Sequence, residues 1–370
     1  MRSHSFILGL PMLGLLCGVA NAETAKREVV IHFALQSGAD AVDCSHDVKG
    51  LGVNKIGAKL RDARFYLSAP ALIDEAGKAV PIELTESEWQ YANVALLDFE
   101  DKTGTCTGSA SMNDSIKGVV PPGKYKGFTF VVGVPSVLKD AAGKELVLNH
   151  SNFATAAAPL DIQGMAWNWQ AGRKFIRLEL QPDGGVTRQP PKPRGAEGGE
   201  EKAKTAEGGG ERAGGRGGAG EGGGEGGRAS EFWKTETLAS NPDGTITVKT
   251  WMLHFGSTGC KGDAMTGEIV SCAAPNRAPV TFAAFDPQKQ RVVFDVAALL
   301  AGVDLNRDAG GATGCMSSAS DPECAEIYAK LGLNLKESDV DANDQGQPAK
   351  GAVQQVFRLA PLQRVRESKN

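Results

Sequence analysis

No two cysteines stand at the CxxC spacing of a zinc ribbon or redox motif, and no CxxCH occurs, so the chain carries no c-type haem. Histidine is scarce, five in 370 residues, and none stands in an HExxH or HxH pattern. No GxSxG comes with a plausible triad, and no glycine-rich loop opens a helix. Hydrolase and nucleotide-binding readings therefore lack support. A surplus of one charge is also missing. The formal net charge is -4, without the basic face that a nucleic-acid partner requires. Past the opening segment, no run is apolar enough to span a membrane, which takes about 20 residues.

The start of the chain has the layout of an export signal. Arg2 supplies a small positive region, and an apolar run follows from Phe6 to Val19. Ala20-Asn21-Ala22 is the small-x-small pattern that a signal peptidase reads, so residues 1–22 are expected to be a signal peptide cleaved after Ala22. The run is short for a membrane span and is broken by Pro11. Leu16 is too large for the residue that precedes a lipidated cysteine, so Cys17 leaves with the leader. Six cysteines remain: Cys44, Cys106, Cys260, Cys272, Cys315 and Cys324. An even number in an exported chain reads as a disulfide framework. Two short-range pairs are natural, Cys260–Cys272 and Cys315–Cys324, leaving Cys44–Cys106.

One segment differs from its surroundings. From Arg188 to Ser230 the chain has no large apolar residue and is rich in Gly, Glu, Ala, Arg and Lys. Such a stretch cannot bury enough surface to offset its ordering entropy. Residues 187–230 are read as a disordered linker, with a root-mean-square span of roughly 35 Å. Gly214-Gly215-Arg216-Gly217-Gly218 is like an RNA-binding RGG segment, but the acidic residues around it balance its charge.

Both flanks read mainly as strands. Val29 to Leu35 alternates, with Ile31, Phe33 and Leu35 on one face and Val30, His32 and Ala34 on the other. Phe128 to Val134 follows a Pro-Pro-Gly turn. Lys174 to Leu180 places Ile176, Leu178 and Leu180 together. Thr245 to Phe255 and Arg291 to Asp295 are also strand-like. Short helices are expected near Val296–Leu300 and Pro322–Leu331. The pattern predicts an all-β fold, an antiparallel β-sandwich with short helices in its C-terminal part and a long disordered insertion. Residues 23–186 and 231–335 are expected to form two parts of one sandwich, followed by a C-terminal segment, 336–370.

Four histidines remain after the leader: His32, His46, His150 and His254. Trp167-Asn168-Trp169 is unusual, since on a strand both indoles would face one way; two core aromatics are the plainer reading. Met316 offers a soft thioether, though filling a core gap is the plainer reading. Asp304–Asp308 and Asp339–Asp344 have alternating oxygens without the full calcium-loop pattern, and read as solvated turns.

Further pieces run in order along the chain: Asp62-Ala63-Arg64-Phe65-Tyr66-Leu67-Ser68, Val94-Ala95-Leu96-Leu97-Asp98-Phe99-Glu100, Gly133-Val134-Pro135, Leu148-Asn149-His150, Pro159-Leu160 and Met165-Ala166-Trp167-Asn168-Trp169-Gln170. After the linker come His254-Phe255-Gly256-Ser257-Thr258-Gly259-Cys260, Cys272-Ala273-Ala274-Pro275-Asn276-Arg277, Gly314-Cys315-Met316-Ser317 and Cys324. In these pieces the chain resembles the MbnP family, the four-Cys-motif member of the metallo-mystery pair, over most of residues 29–332. The long Gly/Glu insertion departs from the family pattern, so no family role transfers to it.

The resemblance implies a periplasmic copper-binding protein that is not an enzyme. It also implies a di-haem partner similar to bacterial cytochrome c peroxidases, MbnH, that oxidises a tryptophan of the copper protein to kynurenine. Trp167 and Trp169 are the candidates for that modification, and His32, His150 and His254 are the candidate copper ligands. His46, in a polar loop after Cys44, is the weakest histidine. The competing expectations are an exported binding or adhesion sandwich without metal, and a copper oxidoreductase. The last lacks a type-1 set of two His, one Cys and one Met, because the cysteines are committed to disulfides.

Overall fold

Alternation of apolar and polar side chains shapes the first strand, β1 (Arg27–Ser37), which buries Val29, Ile31, Phe33 and Leu35 and leaves Val30, His32 and Ala34 half-buried opposite them. A computed structural model of the chain describes residues 25–139, 143–167, 172–190, 236–263, 268–318, 320–334 and 352–362. The expected leader, the linker from residue 191 onward, Trp169 and the Asp339–Asp344 turn lie outside the described residues.

The other main strands are β2 (Ile56–Asp74), β3 (Val94–Asp98), β4 (Ser115–Val120), β5 (Tyr125–Val132), β6 (Lys174–Pro182), β7 (Trp251–Gly256), β8 (Ala278–Phe282), β9 (Gln290–Asp295), β10 (Gly314–Cys315) and β11 (Phe357–Pro361). Two short helices follow β9 and β10: α1 (Val296–Leu299) and α2 (Cys324–Lys330). Asp295 caps α1 by accepting from the Ala298 N–H, which meets one of the amide donors a helix start leaves unpaired. Both helices fall where the sequence predicts them.

The strands form a sandwich of a six-stranded and a ten-stranded sheet. The smaller runs β11-β9-β1-β4, and the larger runs β8-β5-β2-β6-β7-β10 with β3 paired to β2. Pairing is antiparallel except β1 with β9 and β7 with β10. β6 and β7, which flank the Gly/Glu-rich insertion in sequence, are neighbours in one sheet, with Leu178 opposite Leu253. Arg188, within the range assigned to the linker, still belongs to a short strand, Val186–Arg188, paired to Ile246–Val248.

Aromatic rings join the two layers. Phe33, Phe294 and Phe357 from the smaller sheet meet Phe65 and Phe130 from the larger at centroid distances of 5.3 to 6.1 Å, within the range of favourable edge and stacked contacts. Phe357 comes from the C-terminal segment, so that segment supplies an edge strand and a core residue.

All three expected disulfides are present: Cys44–Cys106, Cys260–Cys272 and Cys315–Cys324. Among the described residues, no helix is long and apolar enough to cross a membrane.

Candidate metal centre

Sheet register lines up charge on the outer face of the larger sheet. Asp98, Arg64, Arg177 and His254 stand side by side across β3, β2, β6 and β7, and Asp62 stands opposite Glu179 in the next row. Residues two apart on a strand share a face. The intervening Phe65, Ile176 and Phe255 turn to the core, and each is fully buried. The charged rows are also buried, and the turn at Gly164 and the Trp167 ring lie against Arg64, Arg177 and His254.

Several contacts pin the segment that carries this turn. The Tyr66 hydroxyl donates to the Pro159 carbonyl at 2.7 Å. Arg173 donates to the carbonyls of Leu148, Asn149, Ser151 and Leu160. Lys174 Nζ and Arg177 Nη1 both donate to the Gly164 carbonyl, at 2.9 and 3.1 Å, in the short 3₁₀ turn Gln163–Met165.

A buried ion costs several kcal/mol unless it is paired, and these ions are paired closely. Arg64 holds Asp62 through two nitrogens. Arg177 Nε lies 3.2 Å from Asp62 Oδ2 and 2.7 Å from Glu179 Oε1. Arg61 Nε reaches Glu179 Oε2 at 3.1 Å. Burial raises the Glu179 carboxyl, but Arg177 and His254 outweigh it and hold it well below the usual carboxylate range. Burial pushes Asp98 up to about 7 against the pull of Arg64. Lys174 falls to about 7, through burial and then the neighbouring Arg177.

His254 stands at the end of its row. Its Nε2 is 2.8 Å from Glu179 Oε1. Burial, then Lys174, lowers its pKa to about 4, so the ring is neutral at physiological pH. A neutral imidazole keeps the lone pair that a metal ion needs. The Trp167 ring packs edge-on against His254 at 6.4 Å between centroids. It also lies over Gly256, where an added Cβ would come within 3.0 Å of the indole Nε1 and Cζ2. Trp167 is 6% exposed and follows the 3₁₀ turn rather than sitting in a strand.

His150 reaches the same corner from the covering segment. The Trp167 N–H donates to the Gly172 carbonyl at 3.0 Å, and a Cβ on Gly172 would meet the His150 ring at 3.2 Å. The Arg173 N–H donates to Asn149 Oδ1 at 2.8 Å, which leaves Asn149 Nδ2 to donate to His150 Nε2 at 3.1 Å. Cys272 Sγ lies 3.2 Å from that same nitrogen. His150 with Cys260 and Cys272, and Glu100 with Cys44 and Cys106, are close enough to hold a metal. In both groups the sulfurs are in disulfides, and the thiolate is the ligand form.

The candidates therefore separate. His254 and Trp167 meet, and His150 lies against Gly172, whose carbonyl accepts from the Trp167 backbone N–H. His32 sits on β1 of the other sheet, where it borders a cleft of about 850 Å³ with Arg27, Tyr125 and Gln290. His46 is exposed and paired with Asp43 at 2.9 Å. Asp304 and Asp308 accept backbone N–H groups from Asn306 and from Gly310 and Gly314, as turn residues. Glu179, Arg177 and Lys174 have no role in the sequence reading. The one signal for them is charge alternating with Ile176, Leu178 and Leu180 in a strand that the apolar residues already mark.

Together these features define an all-β, disulfide-bonded sandwich with a buried histidine–tryptophan corner on one sheet. The MbnP family model matches residues 26–189. The solved structure of MbnP from Methylosinus trichosporium is similar to this chain at 37% identity and a TM-score of 0.69, covering 91% of this chain and 99% of that one. The chain belongs to the MbnP family. No curated protein matches it.

Proposed function

We propose that this chain is an exported, periplasmic copper-binding protein, not an enzyme, that acts in copper acquisition, storage or delivery. Its leader is cleaved after Ala22, and a di-haem MbnH-like partner oxidises Trp167 with two equivalents of hydrogen peroxide, each reduced to water, to N-formylkynurenine, from which one water releases formic acid to leave kynurenine. The observation that carries the reading is the contact between the Trp167 ring and a buried, neutral His254. The donor set fits copper: with the thiols in disulfides, imidazoles and a modified indole are the nitrogen donors of this corner, and imidazole suits copper. His254 and His150 would hold the ion, and kynurenine would add an aromatic amine and a ketone. His32 is left out of the site because its strand belongs to the opposite sheet. Trp169 remains the alternative position for the modification.

Mass spectrometry of the intact chain and its peptides, produced with and without the partner, tests this. The expected change in the Trp167 peptide is one oxygen gained and one carbon lost, only when the partner is present, with stoichiometric copper by metal analysis. Unmodified tryptophan and no copper in protein from the native host would sink the proposal and leave an exported binding module without metal. His254→Ala is expected to weaken copper binding at least tenfold while the sandwich stays folded. Unchanged affinity removes His254 from the site.

A further inference from the structure

The geometry points to Glu179 and Arg177 as positioning residues that hold His254 as its Nε2–H tautomer and so present Nδ1, not Nε2, to the metal. The inference rests on the copper reading above and adds which atom of His254 serves and what aims it.

Both carboxylate oxygens of Glu179 face a guanidinium, Oε1 toward Arg177 at 2.7 Å and Oε2 toward Arg61 at 3.1 Å. A carboxylate held this way only accepts hydrogen bonds. His254 Nε2, 2.8 Å from Oε1, must therefore be the donor, and in a neutral ring the lone pair then falls on Nδ1. A second-shell carboxylate accepting from the remote ring nitrogen sets both the tautomer and the orientation of a ligating histidine.

Arg177 extends the same support to the tryptophan. Its Nε binds Glu179, and its Nη1 donates to the Gly164 carbonyl in the turn that leads to Trp167. Lys174 Nζ holds that carbonyl as well, and Asp62 Oδ2 lies 3.2 Å from the same Arg177 Nε. One side chain thus fixes the spacing between the histidine and the turn that carries the indole. None of these groups needs to touch the metal.

The test is a long-range proton–nitrogen spectrum of the full, partner-matured, isotope-labelled chain, before and after addition of Cu(I), which is diamagnetic. The expected metal-free spectrum has the His254 proton on Nε2 and the lone pair on Nδ1. Cu(I) should then move the Nδ1 resonance and leave the Nε2 proton in place. Glu179→Gln, of nearly equal volume, should lower Cu(I) affinity about 10–100-fold with His254 still in the fold. A proton on Nδ1 in the metal-free wild type overturns the inference, as does a Cu(I)-induced shift centred on Nε2 or an unchanged Glu179→Gln affinity. If Glu179→Gln fails to fold, the wild-type spectra decide. A wild type with the Nε2 proton that takes up no Cu(I) would refute the copper reading while leaving Glu179 as the group that orients His254.

Discussion

His254 is fully buried, and its neutrality has a cost that pH can expose. Its folded pKa of about 4 lies below the ordinary 6.5. Between those values the unfolded chain binds a proton that the folded chain does not. This group's contribution is complete above pH 6.5 and is lost as pH falls toward 4. We expect the His254 ring protons of metal-free protein to titrate near pH 4 by NMR, and a midpoint near 6.5 would contradict the burial argument. The histidines themselves were legible in the sequence. Their ranking was not, because His32, His150 and His254 all lie near apolar residues in the chain, and only the strand register of His32 and His254 and the loop that carries His150 separate them.

At the level of the element, β6 illustrates how far periodicity reaches. Ile176, Leu178 and Leu180 predict one buried face, and that face is buried. The opposite face, with Arg177 and Glu179, is ordinarily solvated in a sandwich strand. Here it is buried too, because a long loop returns over it. Nothing local encodes that cover: its hydrogen bonds join Arg173 to Leu160 and Tyr66 to Pro159, across gaps in sequence that pattern analysis does not bridge. Gly256 tests how closely the cover and the sheet approach. An added methyl there would meet the Arg173 carbonyl at 2.7 Å and the Trp167 ring at 3.0 Å. Gly256→Ala is expected to cost about 1–3 kcal/mol, measured by denaturant unfolding, and to lower the yield of modified Trp167. Wild-type stability and full modification would show that the indole has room to spare.

For the whole molecule, the C-terminal strand β11 and the disulfides close the sandwich. Phe357 stacks on Phe294 at 5.2 Å and meets Phe65 and Phe130 across the core. Phe357→Ala should destabilise the fold by about 3–5 kcal/mol, read as a lower denaturant midpoint. A loss under ~1 kcal/mol would place the ring outside the cooperative core. Cys44–Cys106 closes a loop with a separation of 62 residues, for which the chain-entropy model gives about 4 kcal/mol. Replacing both cysteines by serine should reduce stability by up to that amount under oxidising conditions, and little change would argue that the bond strains the native state.

The sequence by itself determined the strand faces and the two short helices, while the cysteine pairing it suggested is fixed only by the fold. The faces and helices follow from period-2 alternation and helix boundaries, both of which are local. It also supplied the histidines and tryptophans, as residue types. Tertiary structure alone decided that His254 meets Trp167 while His32 lies on the other sheet, and that Arg177 and Glu179 support that corner. The physical reason is that a site depends on register between strands far apart in the chain and on a loop folded back over a sheet. Both are long-range packing, which no window of sequence contains.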